Sequence, residues 1–186
     1  MIHNPEIECM SREDMRKLQS ERLVKIVKTC YEKVPFYRRK MDELGVKPSD
    51  IKSIDDISKL PFTTKHDLRD EYPFGLQAVP MTDVRRIHAS SGTTGKPVVD
   101  TYTDNDIANW SEGVARVLAA GNVGHGDVVQ IAYGYGLFTG GLGAHDGTNK
   151  RGAIQLPISA GNSEKQIMLM KDFGTSALCC TPSYAL

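Results

Sequence analysis

The chain has 186 residues, 40% hydrophobic and 25% charged, which suits one soluble domain, or a domain with an appendage, able to bury a core. Lys plus Arg and Asp plus Glu stand at 23 each, so there is no electrostatic drive toward nucleic acid or an anionic membrane surface. Cys9, Cys30, Cys179 and Cys180 form neither a C-x-x-C pair nor a zinc spacing and suit reduced thiols. No apolar run approaches the roughly 20 residues of a membrane span and no secretory leader pattern opens the chain, so a cytoplasmic location is expected.

The pattern changes near residue 80. Ser11 with Asp14 three residues on reads as a helix start, and Leu18, Leu23, Ile26, Val27 and Cys30 continue at helical spacing until Pro35. A second helix is expected from about Phe36 to Leu44, stopped by Gly45. Ser53 caps a short helix through Ile57, and Thr63 or Thr64 caps another before Tyr72-Pro73. The apolar stripes here are small, so these helices are expected to pack on something else rather than on one another. Arg38-Arg39-Lys40 and Arg85-Arg86 read as solvated faces, with the latter pair within long-range reach of a bound phosphate.

Beyond residue 80 short strands alternate with helices. Val84 to Ala89 and Val98 to Tyr102 suit two strands of a hairpin, followed by a helix capped at Thr103 or Asp104 and running to about Ala120. Asp127 to Tyr133 is a strand, then a glycine-rich stretch from Gly134 to Gly143 leads into a helix near 142–150. Ala153 to Leu156 is a strand, Asn162 caps a helix through Asp172, and Ser176 to Cys180 is a last strand expected to be buried. The alternation implies an α/β class with a mainly parallel sheet and flanking helices, preceded by a helical region: residues 1–80 helical, 81–186 an incomplete α/β subdomain. Pro182 suits the first turn of a further helix, yet only Ser183, Tyr184, Ala185 and Leu186 follow, so a fragment is expected.

One motif carries chemistry. Ser90-Ser91-Gly92-Thr93-Thr94-Gly95-Lys96-Pro97 concentrates hydroxyls, glycines and one ammonium between two strands. Glycines admit a ligand close to the backbone, successive N–H groups can converge on one anion, and hydroxyls and Lys96 add donors and charge. Polyphosphate requires this mixture. It is not the G-x-x-x-x-G-K-[ST] loop, because Ser90 stands where the first glycine belongs and Pro97 where Ser or Thr belongs. The plain alternative is a polar hairpin loop. His88 and His145 are candidate catalytic histidines for which no Ser/Asp or Cys partner is identifiable, and each is also read as structural. Trp110 is expected at a core or domain contact, and Cys179-Cys180 in apolar packing.

The loop resembles the phosphate-binding motif of the adenylate-forming superfamily. Ile87-His88-Ala89 before it, Tyr102-Thr103 and Asn105-Asp106 after it, the stretch from Tyr133 to His145, Val34-Pro35-Phe36-Tyr37-Arg38 and Pro182-Ser183-Tyr184 resemble the phenylacetate–CoA ligase branch, over essentially the whole chain. That resemblance implies a partial adenylate-forming N-terminal domain. It implies an enzyme that activates a small aryl carboxylic acid with ATP, accompanied by magnesium, to an acyl-adenylate, and passes the acyl group to coenzyme A. Ser90, Ser91, Gly92, Thr93, Thr94, Gly95 and Lys96 would hold the ATP phosphates. Tyr133, Tyr135, Phe138, Gly140 and Gly141 would line the acid pocket, with Tyr133 and Phe138 against the ring.

The family's catalytic lysine, its adenine- and ribose-binding acids and its mobile C-terminal lobe have no counterpart in these residues, so the isolated chain is expected to be inactive and a homodimer is one way of covering its exposed apolar surface. Asp146 stands where the branch usually has an aromatic residue, and Thr148-Asn149-Lys150-Arg151 departs from the usual run, so looser packing of that helix is expected. An adenylyl-transferring homologue resembling coenzyme F390 synthetase, a capsule-biosynthesis relative, and a non-catalytic split or degenerate nucleotide-binding module are the alternatives.

Overall fold

Local capping chemistry sets most of the helix boundaries. The structure, a computed structural model, describes residues 1–91 and 96–186. Helix α1 (Pro5–Glu8) starts where the Asn4 side chain accepts from the Ile7 N–H. Helix α2 (Arg12–Lys33) starts at Ser11, whose hydroxyl accepts from the Asp14 N–H at 3.0 Å. It stops at Val34, which is extended because the next residue is proline. The same Pro35 opens α3 (Pro35–Glu43), and Gly45, at φ +67°, turns the chain back. Two 3-10 turns, Pro48–Asp50 and Ile54–Lys59, precede α4 (Lys65–Asp70), where Thr64 and Asp67 cap each other's backbone N–H groups; a third, Met81–Asp83, follows.

The helical region builds a small core of its own, contrary to the expectation from its narrow stripes. Val27, Met41 and Ile51 are buried, and Leu23, Tyr31, Val46 and Leu60 pack around them. The apolar surface comes jointly from two helices and the irregular segment after them, which no single-helix periodicity reveals. Of the basic residues expected as a solvated face, Arg38 and Arg39 are exposed, and they also have partners. Arg38 donates to the Tyr31 and Glu32 carbonyls, and the Lys40 ammonium lies 2.8 Å from the Asp67 carboxylate.

In the second half β1 (Arg86–Ala89) and β2 (Val99–Tyr102) form the expected antiparallel hairpin, with His88 opposite Asp100. Helix α5 (Asp104–Ala120) starts at a Thr103/Asp106 capping box. Strand β3 (Val128–Ile131), helix α6 (Thr139–Arg151), strand β4 (Ile154–Leu156), helix α7 (Ser163–Phe173) and strand β5 (Ala177–Cys179) then alternate, before α8 (Pro182–Ala185). The three strands are parallel in the order β4-β3-β5. Central β3 supplies the buried Val129 and Ile131, which meet Leu118 of α5 and Ala144 of α6. Its buried Gln130 is satisfied by the Gln166 carbonyl at 3.2 Å and the Thr175 hydroxyl at 3.0 Å.

Two expectations change. Strand β5 is an edge rather than a buried strand: Cys179 and Cys180 are half-buried and Leu178 is exposed. Helix α6 does not pack loosely. Gly143 sits against the Trp110 indole and Gly147 against Val114, so closely that a Cβ at either position would overlap its neighbour. Asp146 is held by Arg86 at 2.6 Å, both side chains 23% exposed, so Arg86 belongs to a packed ion pair rather than a solvated face. No helix among the described residues is long and apolar enough to cross a membrane.

Candidate functional site

The hairpin β1–β2 carries Ser90 and Ser91 after its first strand and Lys96 before its second. Its neck is closed twice by one pair of residues: the Ser90 N–H donates to the Val98 carbonyl at 2.9 Å, and the Val98 N–H donates to the Ser90 hydroxyl at 2.9 Å. Ser90, Ser91 and Lys96 are exposed. Gly92, Thr93, Thr94 and Gly95 lie outside the described residues. The Lys96 ammonium lies 5.5 Å from the centre of the Tyr72 ring, on the segment that follows α4.

The glycine-aromatic stretch meets this hairpin directly. The Leu137 carbonyl accepts from the Ala89 N–H at 2.9 Å and lies 2.9 Å from Nδ1 of His88. The last residues of β1, immediately before the hydroxyl-rich stretch, therefore hold residue 137, immediately before Phe138 and α6. The two motifs singled out in the sequence are neighbours in space.

The predicted acid-pocket residues separate by role. Phe138 is 57% exposed. The Tyr133 hydroxyl donates to the Cys180 carbonyl at 2.7 Å, which fixes the ring across the sheet's end, and partial burial raises its pKa above the ordinary tyrosine range. Tyr135 lies edge-on to His145, its hydroxyl 3.4 Å from Nδ1; burial raises the pKa of this hydroxyl too. A Cβ on Gly140 would rest 3.5 Å from the Tyr133 ring, whereas one on Gly141 would come 2.6 Å from the Gly134 carbonyl oxygen. Gly141 thus lets the stretch fold back on itself, and Gly140 lies beside the Tyr133 ring.

Tyr102, Trp110 and Asp146, not among the expected site residues, flank the junction together with Arg86, expected only within long-range reach of a phosphate. The available signal was strand alternation, which puts Arg86 and His88 on one face of β1. A separate cleft of about 550 Å³ lies between α2, residues 71–79 and β2, lined by Arg22, Lys25, Phe74, Asp100 and Asp106 among others; none of the predicted site residues lines it. The described residues hold no cluster of His, Cys, Asp and Glu that would bind a metal ion.

No protein-family model matches the chain. Over 185 residues it is 53% identical to phenylacetate-coenzyme A ligase of Thermus thermophilus, covering 100% of this chain and 42% of that protein. The enzymes of the same name from Aromatoleum evansii and Escherichia coli are 54% and 53% identical over 180 residues, each with 41% of its length covered. Among solved structures, 2-hydroxyisobutyryl-CoA ligase in complex with 2-HIB-AMP and CoA superposes with a TM-score of 0.90 at 31% identity, over 97% of this chain and 40% of that one. An open conformation of that ligase, also with 2-HIB-AMP and CoA, gives 0.89. The chain therefore spans about two fifths of the length of the proteins it matches.

Proposed function

We propose, from the premise that this chain belongs to the phenylacetate–CoA ligase family, that it is the phosphate-gripping and acid-binding part of an AMP-forming aryl-acid–CoA ligase. In the first step a carboxylate oxygen of the acid attacks the α-phosphorus of ATP, the bond to the β-phosphate oxygen breaks, and pyrophosphate leaves. In the second the coenzyme A thiolate attacks the acyl carbon, the bond to the adenylate oxygen breaks, and AMP leaves with the thioester formed. Residues Ser90 to Lys96 hold the triphosphate with backbone N–H groups, hydroxyls and one ammonium, charge stabilisation that acts as pyrophosphate departs. Magnesium accompanies the triphosphate as its counter-ion. Tyr133, Tyr135 and Phe138 wall the acid's ring, with Gly140 beside the Tyr133 face and Gly141 letting the stretch fold back under the Gly134 carbonyl so that the wall can form. Residues 1–80 support the α/β part formed by 81–186, and the enzyme works in the cytoplasm.

The contact between Ala89 and Leu137 is the observation that carries this reading, because in-line displacement needs the phosphate grip and the acid pocket at a set spacing. The test is a chimera in which this chain replaces the matched segment of the Thermus thermophilus ligase. It is expected to catalyse phenylacetate-dependent ATP–pyrophosphate exchange and to form the thioester. Replacing residues 90–96 by an unrelated linker of equal length should lower exchange by about 10³-fold, the scale of losing several charge-stabilising donors. Undiminished exchange would remove the assignment of the loop. The 186 residues assayed alone are expected to give little or no thioester, and robust phenylacetyl-CoA formation by them would contradict that.

A further inference from the structure

His88 is 1% exposed and sits where the two motifs meet. Its Nδ1 faces the Leu137 carbonyl oxygen at 2.9 Å; a carbonyl only accepts, so Nδ1 carries the proton. Nε2 is buried and has no hydrogen-bond partner among the described residues. The ring is held instead by aromatic neighbours. Tyr102 of β2 and Trp110 of α5 each lie edge-on to it at 5.4 Å, and they stack on one another at 5.2 Å.

A buried ring nitrogen without a partner is destabilising, and a leucine or phenylalanine would fill the same volume without it. What imidazole adds over those residues is the Nδ1 donor. That donor is the second hydrogen bond to one carbonyl, beside the Ala89 N–H. The aromatic pair behind it fixes the ring's angle, so the donor is aimed rather than merely available.

We propose that His88 is a positioning residue: through the Leu137 carbonyl it sets the spacing between the strand that leads into residues 90–96 and the stretch that leads into α6. This rests on the function proposed above, in which that spacing aligns the acid's carboxylate with the α-phosphorus of ATP. His88 touches neither substrate and acts through Leu137. Its contribution is to the geometry of the first step rather than to binding either reactant.

Three substitutions separate aim from packing. His88→Asn places an amide donor close to the position of Nδ1. His88→Gln puts its amide near the position of Nε2, and His88→Leu has no donor. In the chimera, His88→Gln and His88→Leu should lower kcat for phenylacetate-dependent pyrophosphate exchange by about 10²-fold, with the KM values for ATP and acid changed by less than about threefold, and His88→Asn should recover to within about fivefold of the parent.

In the 186-residue chain, amide hydrogen exchange reads the same clasp. Protection of the Ala89 N–H should fall about tenfold in the Gln and Leu variants and be kept in the Asn variant, while the Ala132 N–H, bonded to the Cys179 carbonyl, stays unchanged. Equal behaviour of the Asn and Gln variants in both measurements, or activity loss matching only the unfolded fraction, would overturn the proposal. A parent chimera with no exchange activity would overturn the proposed function instead, and Ala89 protection would then still decide whether His88 sets the spacing.

Discussion

The helical region and the α/β region reach stability by different routes. Before residue 80 a few apolar side chains, Val27, Met41 and Ile51, are ringed by capping boxes and ion pairs at the surface. After it, a central strand is buried, two helices touch through glycine, and the buried Gln130 amide is hydrogen-bonded inside. The first arrangement depends on side-chain hydrogen bonds that water and protons can reach. The second depends on shape. The site proposed above lies in the second region, where packing constrains the backbone.

The sharpest way to break the comparison is to hollow each core in turn. Met41→Ala and Ile131→Ala should each remove about 3 kcal/mol, the usual loss for truncating a buried Met or Ile. Trp110, the only tryptophan, lies in α5 and reports the α/β region. Met41→Ala should lower the urea midpoint seen by far-ultraviolet circular dichroism while leaving the Trp110 fluorescence transition nearly in place; Ile131→Ala should move the fluorescence transition. If both substitutions shift both signals equally, the two regions unfold as one unit and the contrast is wrong.

A smaller effect is expected at the helix contact. Gly147→Ala adds a methyl group where Val114 already stands, and should destabilise the α/β region by about 2 kcal/mol despite alanine's better helix propensity. A neutral or stabilising result in urea denaturation would show that α5 and α6 can move apart without loss.

The mildest test is acid. Asp67 is held down to about 2, chiefly by the hydrogen bond from Lys40 and then by the Thr64 N–H and hydroxyl. Asp56 is likewise near about 2, held by Lys59 and then by the Lys52 and Ser53 N–H groups. An unfolded aspartate titrates near about 3.9, so this stabilisation is complete above that value and is lost as pH falls from about 4 toward about 2. Both side chains lie in the helical region, whose circular dichroism should therefore decline in that window before the Trp110 signal changes. Asp67→Asn should flatten part of the decline. An unchanged acid profile in that variant would mean that the Lys40 contact contributes nothing in solution.

The legible features are those with short-range causes. The helix starts at Ser11 and Asn162, at Thr63 or Thr64, and at Thr103 or Asp104 are legible because a side-chain oxygen there can accept from an N–H three residues on, and the structure selects Thr64 and Thr103. Pro35 and Gly45 marked ends through their own backbone preferences. The hairpin followed from two β-prone runs flanking a glycine-containing stretch. Less legible were the half-exposed setting of β5, because an edge strand and a central one share the same apolar run, and the core of the helical region, because its members are contributed by separate elements. Asp146 was misjudged because its partner, Arg86, is far away in the chain.

By itself the sequence determined most of the helix starts to within a residue or so and which two strands pair as a hairpin. Each of those follows from hydrogen bonds and φ preferences within a few residues. Only the tertiary structure decided that Gly143 and Gly147 serve helix contact, that Gly141 passes under the Gly134 carbonyl, and that His88 and Ala89 share the Leu137 carbonyl. Those outcomes depend on how closely distant parts of the chain approach, a quantity set by the packed volume between them rather than by any local pattern.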